Sequence, residues 1–379
     1  MSTYRFSFPT LIHYGPGVRS QVRDYLKNQG LNRPLIVTDR GMARLPLLKN
    51  LQDHLSSGLK TATFSEIWGN PVESQVTAGV QAYKDHQADC IVGFGGGAAL
   101  DVAKAIALMA THPGQLFDYE DDKPGARPVD GPIPFWIALP TTSGTGSEVG
   151  RSSVVSDEKT HVKKIIFSPK LLAKAVFADP ELTLDLPASI TASTGMDALT
   201  HCVEAFLAKG YHPICDGIAL EGLRLASSSL EKCIRNPHDL EARGSMMMSS
   251  MMGAVAFQKG LGLTHSCAHA LSAVADLHHG LANGVMIDFA LPFNIAAVPD
   301  RFQRMAMTVG ISSEKPEAFI HWLKELKAKV SIPERLSKAG VTRDQLPRLA
   351  SQAFEDVCHQ SNPRPCQKED FTRIFSEAF

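Results

Sequence analysis

The chain is poor in the residues that would commit it to several common architectures. It has seven cysteines, an odd number with no Cys-x-x-Cys pair, which argues against both a disulfide framework and a thiolate-dominated zinc site and fits a reducing cytoplasm. Net charge is almost absent: 38 basic against 39 acidic side chains leave −1. Without clustered positive charge, neither a nucleic acid nor an anionic membrane is expected as a partner. No run of about 18 uncharged apolar residues occurs, so no membrane span is expected. The first residues, broken at Pro9 and Gly15, lack the apolar core of a secretory signal.

What is present is ordinary globular material with one compositional excess. Hydrophobic residues make up 44% of 379, enough for two sizeable cores. Fourteen histidines are the excess, and several cluster. The first half alternates short apolar runs with helical patterns: Pro34–Thr38, Ala88–Phe94 and Phe135–Leu139 read as strands, each ending in a turn or glycine-rich loop. That alternation implies a parallel sheet with ligands at its carboxyl edge. Beyond about Leu186, stretches of 3.6-residue period take over, among them Thr194–Ala208, Cys215–Ile234, Leu240–Gly260 and Thr264–Asp276. The expectation is an α/β Rossmann-like domain over residues 1–184 and an all-α domain over 185–379. Met246–Met248 and Met251–Met252 fall in a helical pattern and read as core.

Three motifs carry chemistry. Gly95-Gly96-Gly97-Ala98 joins a strand to a helix, where glycines admit a bulky anion to free backbone N–H groups and a positive dipole end. Pro140-Thr-Thr-Ser-Gly-Thr-Gly-Ser-Glu-Val149 brings five hydroxyls to one loop, suited to phosphate, ribose or amide. Asp197 and His201 are four apart, as are His265 and His269, and His278-His279-Gly280 follows. Residues four apart share a helix face. One carboxylate with several imidazoles makes a site for a divalent transition metal, and this donor set suits Fe(II), Zn(II), Mn(II), Co(II) or Ni(II) alike.

Together and in this order, the motifs resemble the iron-containing (group III) alcohol dehydrogenase family over nearly the whole chain. Gly95–Lys104 is similar to the family's GGGS-x-x-D-x-AK with Ala98 in place of Ser, and PTTSGTGSEV stands unchanged at 140–149. The resemblance implies a dehydroquinate synthase-like architecture and a metal-dependent, NAD-linked alcohol dehydrogenase acting on a small alcohol or aldehyde. It implies metal ligands at Asp197, His201, His265 and His279, with Fe(II) first and Zn(II) or another divalent ion as alternatives. His278 is the rival to His279, and the following glycine favours the latter. His269 is the catalytic candidate, as a proton relay.

Cofactor contacts carry over to Asn70, Gly96, Gly97, Ala98, Asp101, Thr141, Thr142, Ser143, Thr145, Ser147, Lys163 and Leu182. Asp39, directly after a strand, suits an adenosine 2′-hydroxyl and repels a 2′-phosphate, favouring NAD over NADP; a cap on the next helix is the competing role. Arg151 is read as a salt bridge to Glu148 or Asp157, or as an anchor for a substrate carboxylate. The resemblance also implies a homodimer or larger homo-oligomer. A maleylacetate reductase-like enzyme, a dehydroquinate synthase-like enzyme and a non-catalytic nucleotide-binding protein are the alternatives.

Overall fold

The structure, a computed structural model, describes residues 6–121, 123–160 and 162–379. It divides into two compact units. One comprises Phe8–Thr142 and Ser147–Thr183; the other comprises Ser143–Gly146 and Leu184–Phe379, with Phe6 and Ser7. The division therefore falls close to residue 184 but is not a single cut. Ser143–Gly146 leave the α/β unit because Gly146 lies against Ser250 and Ala254, where any Cβ would clash at 2.2 Å.

The α/β unit is built on a six-stranded parallel sheet. Its strands are β1 (Leu11–Tyr14), β2 (Pro34–Val37), β3 (Ala62–Phe64), β4 (Cys90–Gly95), β5 (Phe135–Pro140) and, after a separate antiparallel pair β6 (Ser152–Ser156) and β7 (Lys163–Phe167), β8 (Ala175–Ala178). The order is β1-β8-β5-β4-β2-β3. Helices α1 (Val22–Asn28), α2 (Pro46–Ser56), α3 (Glu73–Asp85) and α4 (Gly97–Met109) supply crossovers. The central strands β2, β4 and β8 are buried along their whole length, as expected where a parallel sheet has both faces covered. This is why they read in sequence as continuous apolar runs.

The neighbours β2, β4 and β5 end side by side, with Val37 in register with Gly93 and Gly95 with Pro140. Their exits (Thr38-Asp39, Gly95-Gly96 and Thr141-Thr142) therefore share one sheet edge. Gly95 has φ 153°, and a Cβ there would sit 2.7 Å from that of Ala99. Only glycine admits both this backbone and so early a start for α4.

The second unit is helical: α5 (Ala188–Leu207), α6 (Pro213–Arg235), α7 (Leu240–Ala256), α8 (Leu263–Ala275), α9 (His279–Ala290), α10 (Pro299–Thr308), α11 (Ala318–Lys329), α12 (Leu346–Glu355) and α13 (Lys368–Ala378). α5 packs against α6, α7 and α9, and α8 packs against α9 and α12. Every residue of α5 from Thr191 to Leu207 is buried, marking it as the unit's central helix. It begins six residues before the sequence period suggested, because Pro187 stands at its N-cap. Met246, Met247 and Met251 are core, and all seven cysteines are free thiols. Among the described residues, no helix is long and apolar enough to cross a membrane.

Candidate metal centre and dinucleotide edge

Three helices each contribute an i, i+4 pair to one locus. α5 brings Asp197 and His201, α8 brings His265 and His269, and α9 brings His279 and Asn283. The ligand-capable atoms of Asp197, His201, His265 and His279 all lie within 4.8 Å of one another. The His201 and His265 rings are nearly stacked, with centroids 4.6 Å apart, and the His265 and His279 centroids are 5.6 Å apart. The approach of α9 depends on Gly280, whose Cβ would meet Ser193 O at 2.3 Å and Asp197 Cβ at 3.1 Å.

The residues fit a divalent cation. His201 Nδ1 and His265 Nε2 are buried without a hydrogen-bond partner, a costly arrangement for a polar atom unless something else occupies it. Burial pushes His201 down to about 4, with neighbouring His265 adding to the shift against the opposing pull of Asp197. The imidazole is then neutral at physiological pH, the form in which it can ligate.

Partners the motifs did not reveal fix these side chains. Glu204, seven residues after Asp197 on α5, accepts from His265 Nδ1 at 2.7 Å. Asn283 Nδ2 donates to Asp197 Oδ1 at 2.8 Å and stands 3.3 Å from His279 Nε2. Asp356 accepts from His269 Nδ1 at 2.7 Å and also from Ser266 Oγ and the Cys358 amide. Burial alone would raise the Asp356 carboxyl, but His269, Ser266 and that amide pull it well below the carboxylate range. The i+7 and i+4 spacings of Glu204 and Asn283 were visible signals; Asp356 sits in a different segment with no periodic link to His269. Phe257 closes one side, its ring 5.2 Å from that of His201.

At the sheet edge, Gly96 caps α4, and Gly96, Gly97 and Ala98 are half-buried there. Asp39 does two things. Its Oδ1 accepts from the amides of Gly41 and Met42 at 2.8 and 2.9 Å, a cap on the following turn, while Oδ2 faces Gly95. Neighbouring Arg40 is taken up by Glu66 and by the Trp68 ring.

Asp101 and Ser147 are bound to each other: Ser147 Oγ donates to Asp101 Oδ1 at 2.6 Å, and Val154 N donates to Oδ2. Lys104 Nζ, fully buried, donates to Ser147 Oγ and Ser152 O at 2.7 Å each. Asp101 and Ser147 thus tie α4 to β6. Thr141 and Ser143 are buried, Thr142 and Thr145 half-buried, and Asn70 lies exposed between β3 and α3. Lys163 opens β7, and Leu182 is packed in the sheet's core. Thr141, Thr142 and Ser147 belong to the α/β unit, Ser143 and Thr145 to the helical one.

Arg151 makes neither of the expected salt bridges. Its guanidinium lies over Phe167 at 5.6 Å, and no carboxylate among the described residues is within ion-pair distance. Asp157 pairs with Lys164, and Glu148 is buried.

A parallel α/β unit with an open glycine turn, followed by a helical unit carrying one carboxylate and three imidazoles, defines a dinucleotide- and metal-binding class of protein. The comparisons narrow it. The iron-containing alcohol dehydrogenase family matches residues 9–180, and the C-terminal part of the Fe-containing alcohol dehydrogenase family matches residues 191–379. The chain is 38% identical to a 4-hydroxybutyrate dehydrogenase of Cupriavidus necator, covering 97% of this chain and 98% of that protein. It is 35% identical to an NAD-dependent methanol dehydrogenase of Bacillus methanolicus, covering 98% and 99%. Among solved structures, a 1,3-propanediol oxidoreductase superposes with a TM-score of 0.95 at 32% identity, covering both chains completely. The chain belongs to the iron-containing alcohol dehydrogenase family.

Proposed function

We propose that the protein is a divalent-metal-dependent, NAD-linked alcohol dehydrogenase, transferring a hydride reversibly between a primary or secondary alcohol and NAD, with Fe(II) as its ion. The observation that carries this reading is the convergence of Asp197, His201, His265 and His279 with two imidazole nitrogens buried and unpartnered. When bound, the ion supplies Lewis-acid polarisation of the substrate oxygen. Asp197 and the three histidines hold it, with Asn283 steadying the carboxylate and Glu204 the His265 ring. His269 moves the hydroxyl proton, its Nδ1 fixed by Asp356 so that Nε2 is left for the exchange. Phe257 keeps water from the His201 side.

For the cofactor, the Gly96–Ala98 amides at the start of α4 receive the pyrophosphate, and Asp39 Oδ2 receives the adenosine 2′-hydroxyl, selecting NAD. Thr141, Thr142, Ser143 and Thr145 position the remainder with Asn70, Lys163 and Leu182, while Asp101 and Ser147 hold the loop through their mutual bond. The relative described as NAD-dependent supports this choice. The test is to strip the protein of metal, restore Fe(II), Zn(II), Mn(II) or Ni(II) without oxygen, and follow NADH with short alcohols, diols and hydroxyacids. Metal-dependent NADH formation is expected; none with any ion would overturn the reading.

A hydroxyacid is the substrate class we favour within that panel. Arg151 has no carboxylate partner among the described residues, and the 4-hydroxybutyrate dehydrogenase relative acts on such a molecule by its name. A guanidinium binds a carboxylate through paired donors. Free thiols throughout and the exposed Leu11 and Tyr14 on edge strand β1 support a cytoplasmic homodimer or larger homo-oligomer. A monomeric mass by light scattering would refute that assembly.

A further inference from the structure

α8 begins at a residue that cannot cap it. Its N-cap is Gly262, which has no side chain, yet its first amides are buried. Glu204 of α5 fills the place. Its carboxylate accepts from Gly262 N at 2.9 Å, Thr264 N at 2.7 Å, His265 N at 3.2 Å and His265 Nδ1 at 2.7 Å. The side chain is 1% exposed, and a Cβ on residue 262 would stand 2.7 Å from Oε1, so glycine there leaves room for it. One group thus ends a helix electrostatically and grips the first imidazole of that helix.

The chemistry of this grip is directional. Three of the four partners are backbone amides, and an ionised carboxylate can only accept, so a hydrogen bond to it requires His265 Nδ1 to carry the hydrogen. The Nε2 lone pair is then turned to the cluster, where Nε2 is buried with no partner in the protein. Asp197 and His201 lie seven and three residues before Glu204 on the same helix, so α5 holds two ligands directly and sets a third at a distance.

We propose that Glu204 is a positioning residue that fixes the tautomer and orientation of His265 before any ion arrives, and so sets the affinity of the centre. This rests on the metal-site reading above. In Glu204→Gln the amide keeps one acceptor oxygen but must point its NH2 at one of the four donors. Facing His265, it would turn Nδ1 into an acceptor and place a hydrogen on Nε2, where the ion should bind.

The experiment measures the Zn(II) dissociation constant of the full-length apoprotein against a chromophoric chelator. Glu204→Gln is expected to weaken zinc roughly ten- to hundredfold, the usual effect of losing such an outer partner. In a His265→Ala background the same substitution should change affinity by less than about twofold, since its target is gone. Zinc affinity unchanged in a folded Glu204→Gln protein overturns the proposal. An equal loss with and without His265 also overturns it, by showing that Glu204 acts only on the helix start. If Glu204→Gln does not fold, nitrogen-15 spectra of the wild-type apoprotein decide: Nδ1-protonated His265 supports the role and the Nε2-protonated form refutes it. Equal zinc binding by wild type and His201→Ala would instead sink the metal reading itself, a distinct result.

Discussion

Asp356 holds His269: Oδ2 accepts from Nδ1 at 2.7 Å, and the His269 ring stacks on that of His279 with centroids 5.1 Å apart. The pair places an oriented imidazole beside the candidate ligands without adding it to them. His269→Ala should lower kcat by roughly a hundredfold, within the range general acid–base groups contribute, with metal content unchanged by mass spectrometry. Asp356→Asn should lower kcat less. Loss of bound metal in His269→Ala would show that the histidine roles are misassigned.

Removing a ligand should have the opposite signature. Asp197→Ala and His279→Ala are each expected to bind less than about one tenth of the wild-type metal at matched free ion. Far-UV circular dichroism should stay unchanged, because α5 and α9 keep their apolar packing. Full metal content in either variant would remove that residue from the centre.

Asp39 tests the cofactor assignment. Asp39→Ser removes the charge that repels a 2′-phosphate while keeping an oxygen for the Gly41 and Met42 amides. The ratio of kcat/KM for NADP over NAD should rise at least about tenfold. An unchanged ratio would leave Asp39 as a turn cap only, a role that serine keeps and that Asp39→Ala would remove at a stability cost of about 1 kcal/mol.

Arg151→Ala separates substrate classes. Turnover of a hydroxyacid should fall about ten- to hundredfold in kcat/KM, while a short unbranched alcohol is unaffected, as expected for a lost charge-assisted contact. Equal effects on both would return Arg151 to a role in packing Phe167.

Glu148 gives a stability prediction with a definite sign. Burial pushes its carboxyl up to about 7, against the weaker opposing pull of the backbone and of Lys104, and its Oε1 has no hydrogen-bond partner. A raised carboxyl favours the folded state fully only below its ordinary value, and that contribution is lost as pH rises through about 7. Glu148→Gln should flatten this slope. Its advantage over wild type should grow by at most about 3 kcal/mol between mildly acidic and mildly alkaline pH in denaturant titrations. Parallel curves would show that Glu148 stays ionised.

Much of this was legible in one dimension. β2, β4 and β5 announced themselves as buried apolar runs because a covered parallel strand tolerates little else. The pairing of Asp197 with His201 and of His265 with His269 was legible because residues four apart lie on one face of a helix. Asp356 was not legible: a link between residues 87 apart leaves no periodic trace. The expected salt bridge of Arg151 failed for a related reason, since sequence proximity to Glu148 and Asp157 did not tell that one is buried and the other paired with Lys164.

The sequence alone determined the α/β-then-helical order, the glycine turn at 95–97 and which helix faces carry the Asp and His side chains, because these follow from local periodicity and backbone sterics. Tertiary structure decided that α5, α8 and α9 bring those faces to one point, that Glu204 caps a helix whose N-cap, Gly262, lies 58 residues later, and that Asp39 both caps its turn and faces Gly95. These depend on which side chains a long chain brings together, and burial then makes each unpaired polar atom costly enough to fix its partner.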